Sequence, residues 1–218
     1  MNTHYYLGWF TDFFPERLSQ MLRDDITERK SLVMISSNPL DARVDGAIER
    51  SWLHHADILF DDYYLIDYCV QKDAAQTLIQ NASVIFLLGG DTLKQNEFLM
   101  AYGLSECIRK SNAIVIGASA GAINMAANWL CSKNFGYPVE ENIIYDGIGL
   151  DDFSVLSHFD LENNMALILN DLSSLSEEMK IYASNKDCAL RIKEGKIDIL
   201  GSVYVISRSE IQKLEETC

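Results

Sequence analysis

One stretch of the sequence decides the fold: residues 113–125 read Ala113-Ile114-Val115-Ile116-Gly117-Ala118-Ser119-Ala120-Gly121-Ala122-Ile123-Asn124-Met125. The stretch begins with a short apolar run, which is typical of a buried parallel strand. It continues through Gly117-Ala118-Ser119-Ala120-Gly121, which fits the G-x-S-x-G pattern of a nucleophile elbow. We therefore predict a strand, a sharp turn and a helix, with the Ser119 hydroxyl at the corner near the positive end of the helix dipole.

Strand-like and helix-like segments alternate along the rest of the chain. Val84 to Leu88 reads as a buried strand, and the segments Glu16 to Asp25 and Lys94 to Lys110 read as helices. This alternation predicts a mostly parallel sheet that is covered by helices on both faces. Glu194-Gly195-Lys196 is a hairpin signal between two later apolar runs, so a smaller antiparallel part is expected at one edge. We interpret residues 1–218 as a single α/β domain.

Three polar segments follow predicted strands directly. Gly89-Gly90-Asp91-Thr92 follows the strand that begins at Val84, Ser119 follows the elbow strand, and His158 follows the strand Phe153 to Leu156. Open parallel sheets bind their ligands outside the carboxyl ends of the strands. We therefore expect these three segments to meet at the same edge of one sheet.

The three segments suit acyl transfer. A serine hydroxyl needs a neighbouring base, and histidine is the usual one because its pKa lies near the working pH. Of the four histidines, only His158 is predicted at the end of a strand. The backbone N–H groups of Gly90 and Ala120 are the expected oxyanion donors. Gly89, Asp91 and Thr92, on either side of Gly90, are the expected substrate-binding residues.

These blocks also carry a resemblance. The segments Leu88-Gly89-Gly90-Asp91-Thr92, Gly117-Ala118-Ser119-Ala120-Gly121-Ala122 and His158-Phe159, in this order, resemble the dipeptidase E family of serine peptidases, which includes cyanophycinases. The similarity spans roughly Leu32 to Ile206. It implies a three-layer α/β/α fold with a mostly parallel sheet, like that of class I glutamine amidotransferases (flavodoxin-like). It also implies Ser119 as nucleophile, His158 as base, and Gly90 and Ala120 as oxyanion donors.

The chain departs from the family pattern at the third catalytic position, which is usually a glutamate before a short apolar strand. Lys186 falls at that position and Asp187 follows it. Asp187 is the predicted acidic member, with Asp160, Glu162 or a backbone carbonyl as alternatives. The arginines that follow the His-Phe pair in cyanophycinases are absent, which argues against that activity.

Composition limits the partners. The chain carries 32 acidic and 18 basic residues, a formal net charge of -14, which argues against nucleic acid and anionic lipid. The acidic pairs lack the histidines or the spacing of a metal site, so no metal and no cofactor are expected. No apolar run is long enough for a membrane span and no basic signal start is present, so a cytoplasmic location is expected.

The sequence therefore predicts a serine hydrolase of the dipeptidase E type that cleaves small peptides or related amides through an acyl-enzyme. Two alternatives stay open. One is a catalytically impaired family member that acts as a small-molecule binding or regulatory protein, which Lys186 favours, and the other is a hydrolase of non-peptide esters or amides. The chain is expected to be a monomer or a homodimer.

Overall fold

The computed structural model describes residues 3–42, 45–158 and 161–217, with the side chains of residues 161–164, 167 and 168 excepted. In chain order, the strands in these ranges are β1 (His4–Leu7), β2 (Ser31–Ile35), β3 (Asp62–Ile66), β4 (Val84–Leu87), β5 (Ile114–Ala118), β6 (Asn128–Cys131), β7 (Ile143–Asp146), β8 (Ser154–Ser157), β9 (Ile181–Ser184), β10 (Ala189–Lys193), β11 (Lys196–Leu200), β12 (Val203–Ser207) and β13 (Glu210–Lys213). The α-helices are α1 (Glu16–Asp25), α2 (Ala47–His55), α3 (Lys72–Gln80), α4 (Thr92–Tyr102), α5 (Leu104–Lys110), α6 (Ala120–Met125) and α7 (Leu161–Glu178).

A seven-stranded sheet forms the centre of the described structure, in the order β11-β10-β1-β5-β4-β2-β3. Five neighbouring strands pair in parallel, in the spatial order β1, β5, β4, β2 and β3. At the edge beside β1, strands β10 and β11 pair antiparallel. The turn Glu194-Gly195 joins β10 to β11, and both of its residues have positive φ, of 52° and 76°. The predicted parallel sheet with a late antiparallel hairpin is confirmed.

Helices cover both faces of this sheet because its central strands are apolar on both sides. Ile85 and Leu87 of β4 pack with the cluster that holds α3, α4, α5 and α6. Val84 and Phe86 of the same strand pack with the opposite cluster, which holds α1 and α2. Successive residues of a strand point to opposite faces, so this alternation gives the predicted three-layer α/β/α arrangement.

A second sheet has the order β13-β12-β9-β8. The strand before His158 is β8, and it pairs in parallel with β9 in this sheet. The expectation that the strands before Ser119 and His158 belong to one sheet is therefore wrong. The apolar run Phe153 to Leu156 predicts a buried strand but contains no information about which neighbour the strand pairs with.

One of the two predicted helices has different bounds, and the other has the bounds that were predicted. The segment predicted as one helix over Lys94 to Lys110 begins earlier, and it is divided into α4 and α5 at Gly103, whose φ is 64°. Asp91 is the N-cap of α4, and its side chain accepts a hydrogen bond from the N–H of Lys94. The helix predicted over Glu16 to Asp25 is confirmed with the same bounds, directly after Pro15.

Candidate active site

The segment predicted as an elbow consists of a strand, a turn and a helix. β5 ends at Ala118, α6 begins at Ala120, and Ser119 between them has φ 50° and ψ -109°. A positive φ in a residue other than glycine is uncommon and strained. Gly121 is needed because a Cβ there would lie 2.1 Å from the carbonyl oxygen of Leu87 on the neighbouring strand. The small residues of the motif therefore let α6 approach the sheet and hold the serine at a sharp corner.

His158 is close to the elbow serine. Its Nε2 atom lies 2.6 Å from Oγ of Ser119, which is hydrogen-bond distance. His158 also has a positive φ, of 60°, directly after β8. Partial loss of hydration around the imidazole, and then the nearby ammonium group of Lys186, lower the pKa of His158, so the neutral form is favoured. A neutral imidazole beside a serine hydroxyl can accept the proton of that hydroxyl.

The two N–H groups expected to bind an oxyanion have no acceptor among the described residues. Neither the N–H of Gly90 nor that of Ala120 donates to a protein atom within the described ranges. Gly90 lines the same cavity as Ser119. Ala120 follows Ser119 directly, so its N–H lies close to the serine hydroxyl by connectivity. Both donors are therefore available for a bound group near Ser119.

Of the three residues predicted to bind substrate beside Gly90, two line the cavity. Asp91 and Thr92 line the cavity, whereas Gly89 is not among its lining residues. The carboxylate of Asp91 lies 3.3 Å from Nζ of Lys94, and Oγ1 of Thr92 accepts a hydrogen bond from the Tyr137 hydroxyl at 3.1 Å. The backbone of Gly89 instead forms hydrogen bonds with the side chains of Ser37 and Glu49.

Asp187, the predicted acidic member of the catalytic group, forms a hydrogen bond to another part of the chain. A carboxylate oxygen of Asp187 accepts a hydrogen bond from the N–H of Thr11 at 3.3 Å. In the described part of the chain no hydrogen bond joins Asp187 to His158. Of the alternatives, Asp160 lies outside the described residues, and so does the side chain of Glu162. The identity of the residue that orients the imidazole ring of His158 therefore stays a prediction.

A cavity of about 870 Å³ opens beside Ser119 and His158. One wall is a segment that the sequence indicates only as an irregular loop, and it contributes Asn134, Phe135 and Tyr137. Asp171 of α7 anchors this wall, because Oδ2 of its carboxylate accepts hydrogen bonds from Ser132 Oγ at 2.6 Å and from Asn134 Nδ2 at 2.8 Å. Gly136 and Pro138 mark a loop in the sequence, but nothing in the pattern places that loop over the serine.

Two further features concern metals and membranes. Over residues 3–42, 45–158 and 161–217, no three His, Cys, Asp or Glu side chains are grouped in a way that could hold a metal ion. None of the helices in these same ranges combines the length and the apolar character that crossing a membrane requires.

Known proteins share this architecture and part of this sequence. The sequence model of peptidase family S51 matches residues 66–200. The chain is 28% identical over 133 residues to a cyanophycinase from Geminocystis herdmanii, and the match covers 58% of the chain and 49% of that relative. The chain therefore spans about half the length of this curated relative.

Two solved structures resemble the whole chain. A peptidase from an acI-B1 Actinobacterium has a TM-score of 0.67 at 17% identity, over 99% of this chain and 95% of its own. A Listeria monocytogenes protein described as a candidate peptidase E has a TM-score of 0.65 at 17% identity, over 92% of this chain and 98% of its own. At this level of identity the two matches show a shared fold.

Proposed function

This chain belongs to peptidase family S51, and we propose on that premise that it hydrolyses small peptides or related amides through Ser119 and His158. The observation that carries the proposal is the 2.6 Å distance between His158 Nε2 and Ser119 Oγ beside the cavity. Acyl transfer needs a serine at a sharp turn, a neutral imidazole and free N–H donors, and the N–H groups of Gly90 and Ala120 have no acceptor among the described residues.

The proposed reaction has two halves. Ser119 Oγ attacks the carbonyl carbon of the substrate while His158 Nε2 takes the hydroxyl proton, and the carbonyl oxygen becomes negative. The N–H groups of Gly90 and Ala120 stabilise this oxyanion. The C–N bond then breaks, and the imidazolium gives its proton to the leaving amine. Water, deprotonated by His158, releases the acyl group from Ser119 in the second half.

The substrate class rests on the cavity. Small peptides of the dipeptidase E type suit a cavity of about 870 Å³ that is bounded by loops. The sequence after His158 runs Phe159-Asp160-Leu161-Glu162 and supplies carboxylates instead of the arginines of cyanophycinases. We therefore favour a small peptide over the cyanophycin polymer.

A second candidate is a binding protein that keeps the fold and has lost most of its turnover. Lys186 favours it, because this cation stands at the family's acidic position and opposes protonation of His158. A third candidate, a hydrolase of non-peptide esters or amides, would use the same Ser119 and His158 on another substrate.

A fluorophosphonate probe separates the first two candidates. The folded wild-type chain should be labelled at Ser119, whereas Ser119→Ala should take up no label and His158→Ala should react far more slowly. Absence of wild-type labelling would favour the binding protein. A panel of Asp-X, β-Asp-X, neutral and basic dipeptides, together with simple esters, then separates peptide from non-peptide hydrolysis.

A further inference from the structure

Two buried side chains form hydrogen bonds to the backbone of Gly89, the residue before Gly90. The Ser37 hydroxyl donates a hydrogen bond to the carbonyl oxygen of Gly89, and Oε1 of Glu49 accepts one from the N–H of Gly89 at 3.1 Å. Each of these two side chains belongs to a residue that is 3% exposed. The peptide before Gly89 is therefore fixed at its N–H, and the peptide after Gly89 is fixed at its carbonyl.

The contact with Ser37 sets the direction of the N–H of Gly90. In a trans peptide the carbonyl of one residue and the N–H of the next point to opposite sides. Because the carbonyl of Gly89 points at Ser37, the N–H of Gly90 points away from Ser37. Gly90 lines the cavity, and its N–H meets no acceptor among the described residues. The hydrogen bond behind the loop thus directs this N–H towards the cavity.

This peptide needs an external restraint. Two successive glycines allow the peptide between them to rotate easily, and Gly90 has φ 135°, a value that side-chain-bearing residues rarely adopt. Rotation would turn the carbonyl oxygen of Gly89 towards the cavity in place of the N–H. A carbonyl oxygen repels an oxyanion, so the rotated peptide would oppose the proposed reaction.

We propose that Ser37 and Glu49 are positioning residues that hold the peptides on either side of Gly89, so that the N–H of Gly90 faces a group bound at Ser119. The role in catalysis rests on the proposed function. The restraint on the peptide is a property of the fold and can be tested without turnover.

The variants can be matched closely. Ser37→Ala removes the donor to the carbonyl of Gly89, and Glu49→Met removes the acceptor while keeping a side chain of similar length. Glu49→Gln retains an acceptor oxygen and serves as the conservative rescue. Ser36→Ala is the control, because Ser36 is an adjacent buried serine whose hydroxyl donates to Asp45 instead.

Kinetics on the best substrate of the dipeptide panel should separate positioning from a general loss of structure. Ser37→Ala and Glu49→Met should each lower kcat about 100-fold with KM changed less than about threefold, because the oxyanion contact exists in the transition state. Glu49→Gln and Ser36→Ala should stay within about threefold of wild type. Equal losses in Ser36→Ala and Ser37→Ala would overturn the proposal.

Crystal structures of the wild-type chain, Ser37→Ala and Glu49→Met test the restraint directly. The Gly89–Gly90 peptide should have one orientation in the wild type and a rotated or mixed orientation in the variants. One unchanged orientation in all three would overturn the inference, whether or not the chain hydrolyses anything. Hydrolysis that survives Ser119→Ala would instead refute the proposed function and leave this structural result standing.

Discussion

Nε2 of His158 lies 2.6 Å from Oγ of Ser119 although the two residues follow strands of two different sheets. Their approach therefore depends on how the second sheet is attached to the first. A backbone hydrogen bond of 2.9 Å runs from the N–H of Ala127, just after α6, to the carbonyl of Phe153, just before β8. This bond ties the chain after the elbow helix to the start of the strand that carries the histidine.

The first prediction concerns the two reacting groups. Ser119→Ala and His158→Ala should each lower kcat by about 10⁴-fold or more, because the proposed nucleophile and its proposed base would act as one unit. Both variants should keep the thermal unfolding curve of a folded protein. His54→Ala, which alters an exposed histidine at the end of α2, is the control and should retain full activity. Turnover that survives both active-site variants would contradict the assignment.

The second prediction concerns pH. Partial loss of hydration and then Lys186 lower the pKa of His158 below its ordinary value of 6.5, and the proposed base can accept a proton only when it is neutral. The acid limb of kcat/KM should therefore lie below pH 6.5. Lys186→Gln removes the repulsion, raises the pKa and should move this limb to higher pH. Lys30→Gln, at an exposed lysine paired with Glu28, should leave the limb in place. An unshifted limb in Lys186→Gln would show that Lys186 does not lower the pKa of His158.

The third prediction concerns Asp187. Its carboxylate bonds to the N–H of Thr11, and no hydrogen bond joins it to His158 in the described structure. Asp187→Asn should therefore lower kcat less than about tenfold, whereas loss of a carboxylate that orients a catalytic histidine costs about 10⁴-fold. Steady-state kinetics near the optimal pH decides between them, and a loss of about 10⁴-fold would restore Asp187 as the third catalytic member.

Local signals in the sequence predict much of this fold. Pro15 suits the start of a helix, and α1 begins directly after it. Ser119 could be assigned to a corner because only small residues permit the close approach that Gly121 makes to β4. The apolar run at Val84 identifies a central strand, since both faces of such a strand are buried.

Other features depend on contacts between distant segments and have no local signal. β8 pairs in parallel with β9, which follows it in the chain after α7, and the pattern of β8 alone does not encode this pairing. Glu49 contacts the backbone of Gly89, 40 residues away along the chain. A buried glutamate at the start of a helix looks like an ordinary surface residue in the sequence, because acidic residues are common in a first helical turn.

The fourth prediction concerns the packing of the elbow. A Cβ on Gly121 would lie 2.1 Å from the carbonyl oxygen of Leu87, and this neighbour is backbone that cannot rotate away. Gly121→Ala should therefore lower the free energy of unfolding by about 3 kcal/mol, at the upper end of overpacking effects. Ala122→Ser, at the next position of the helix, adds one atom away from the Gly121–Leu87 contact and tests whether any enlargement of α6 has this effect. Urea unfolding provides the measurement, and equal stability of Gly121→Ala and wild type would contradict the close approach.

The fifth prediction concerns the cavity wall. Burial by itself would raise the pKa of Asp171, but hydrogen bonds from Ser132, Asn134, Asn142 and Asn170 together outweigh it and lower the pKa below 3.8. Because the bonds favour the carboxylate, their stabilisation is present above pH 3.8 and is lost as pH falls through the lowered value. Asp171→Asn should raise KM about tenfold with little change in kcat, since it loosens a substrate wall and leaves the serine in place. Glu177→Gln on the same helix should change neither constant. The difference in unfolding free energy between wild type and Asp171→Asn should shrink in acid, and a difference that is constant from pH 7 to pH 2 would show that the carboxylate does not anchor the wall.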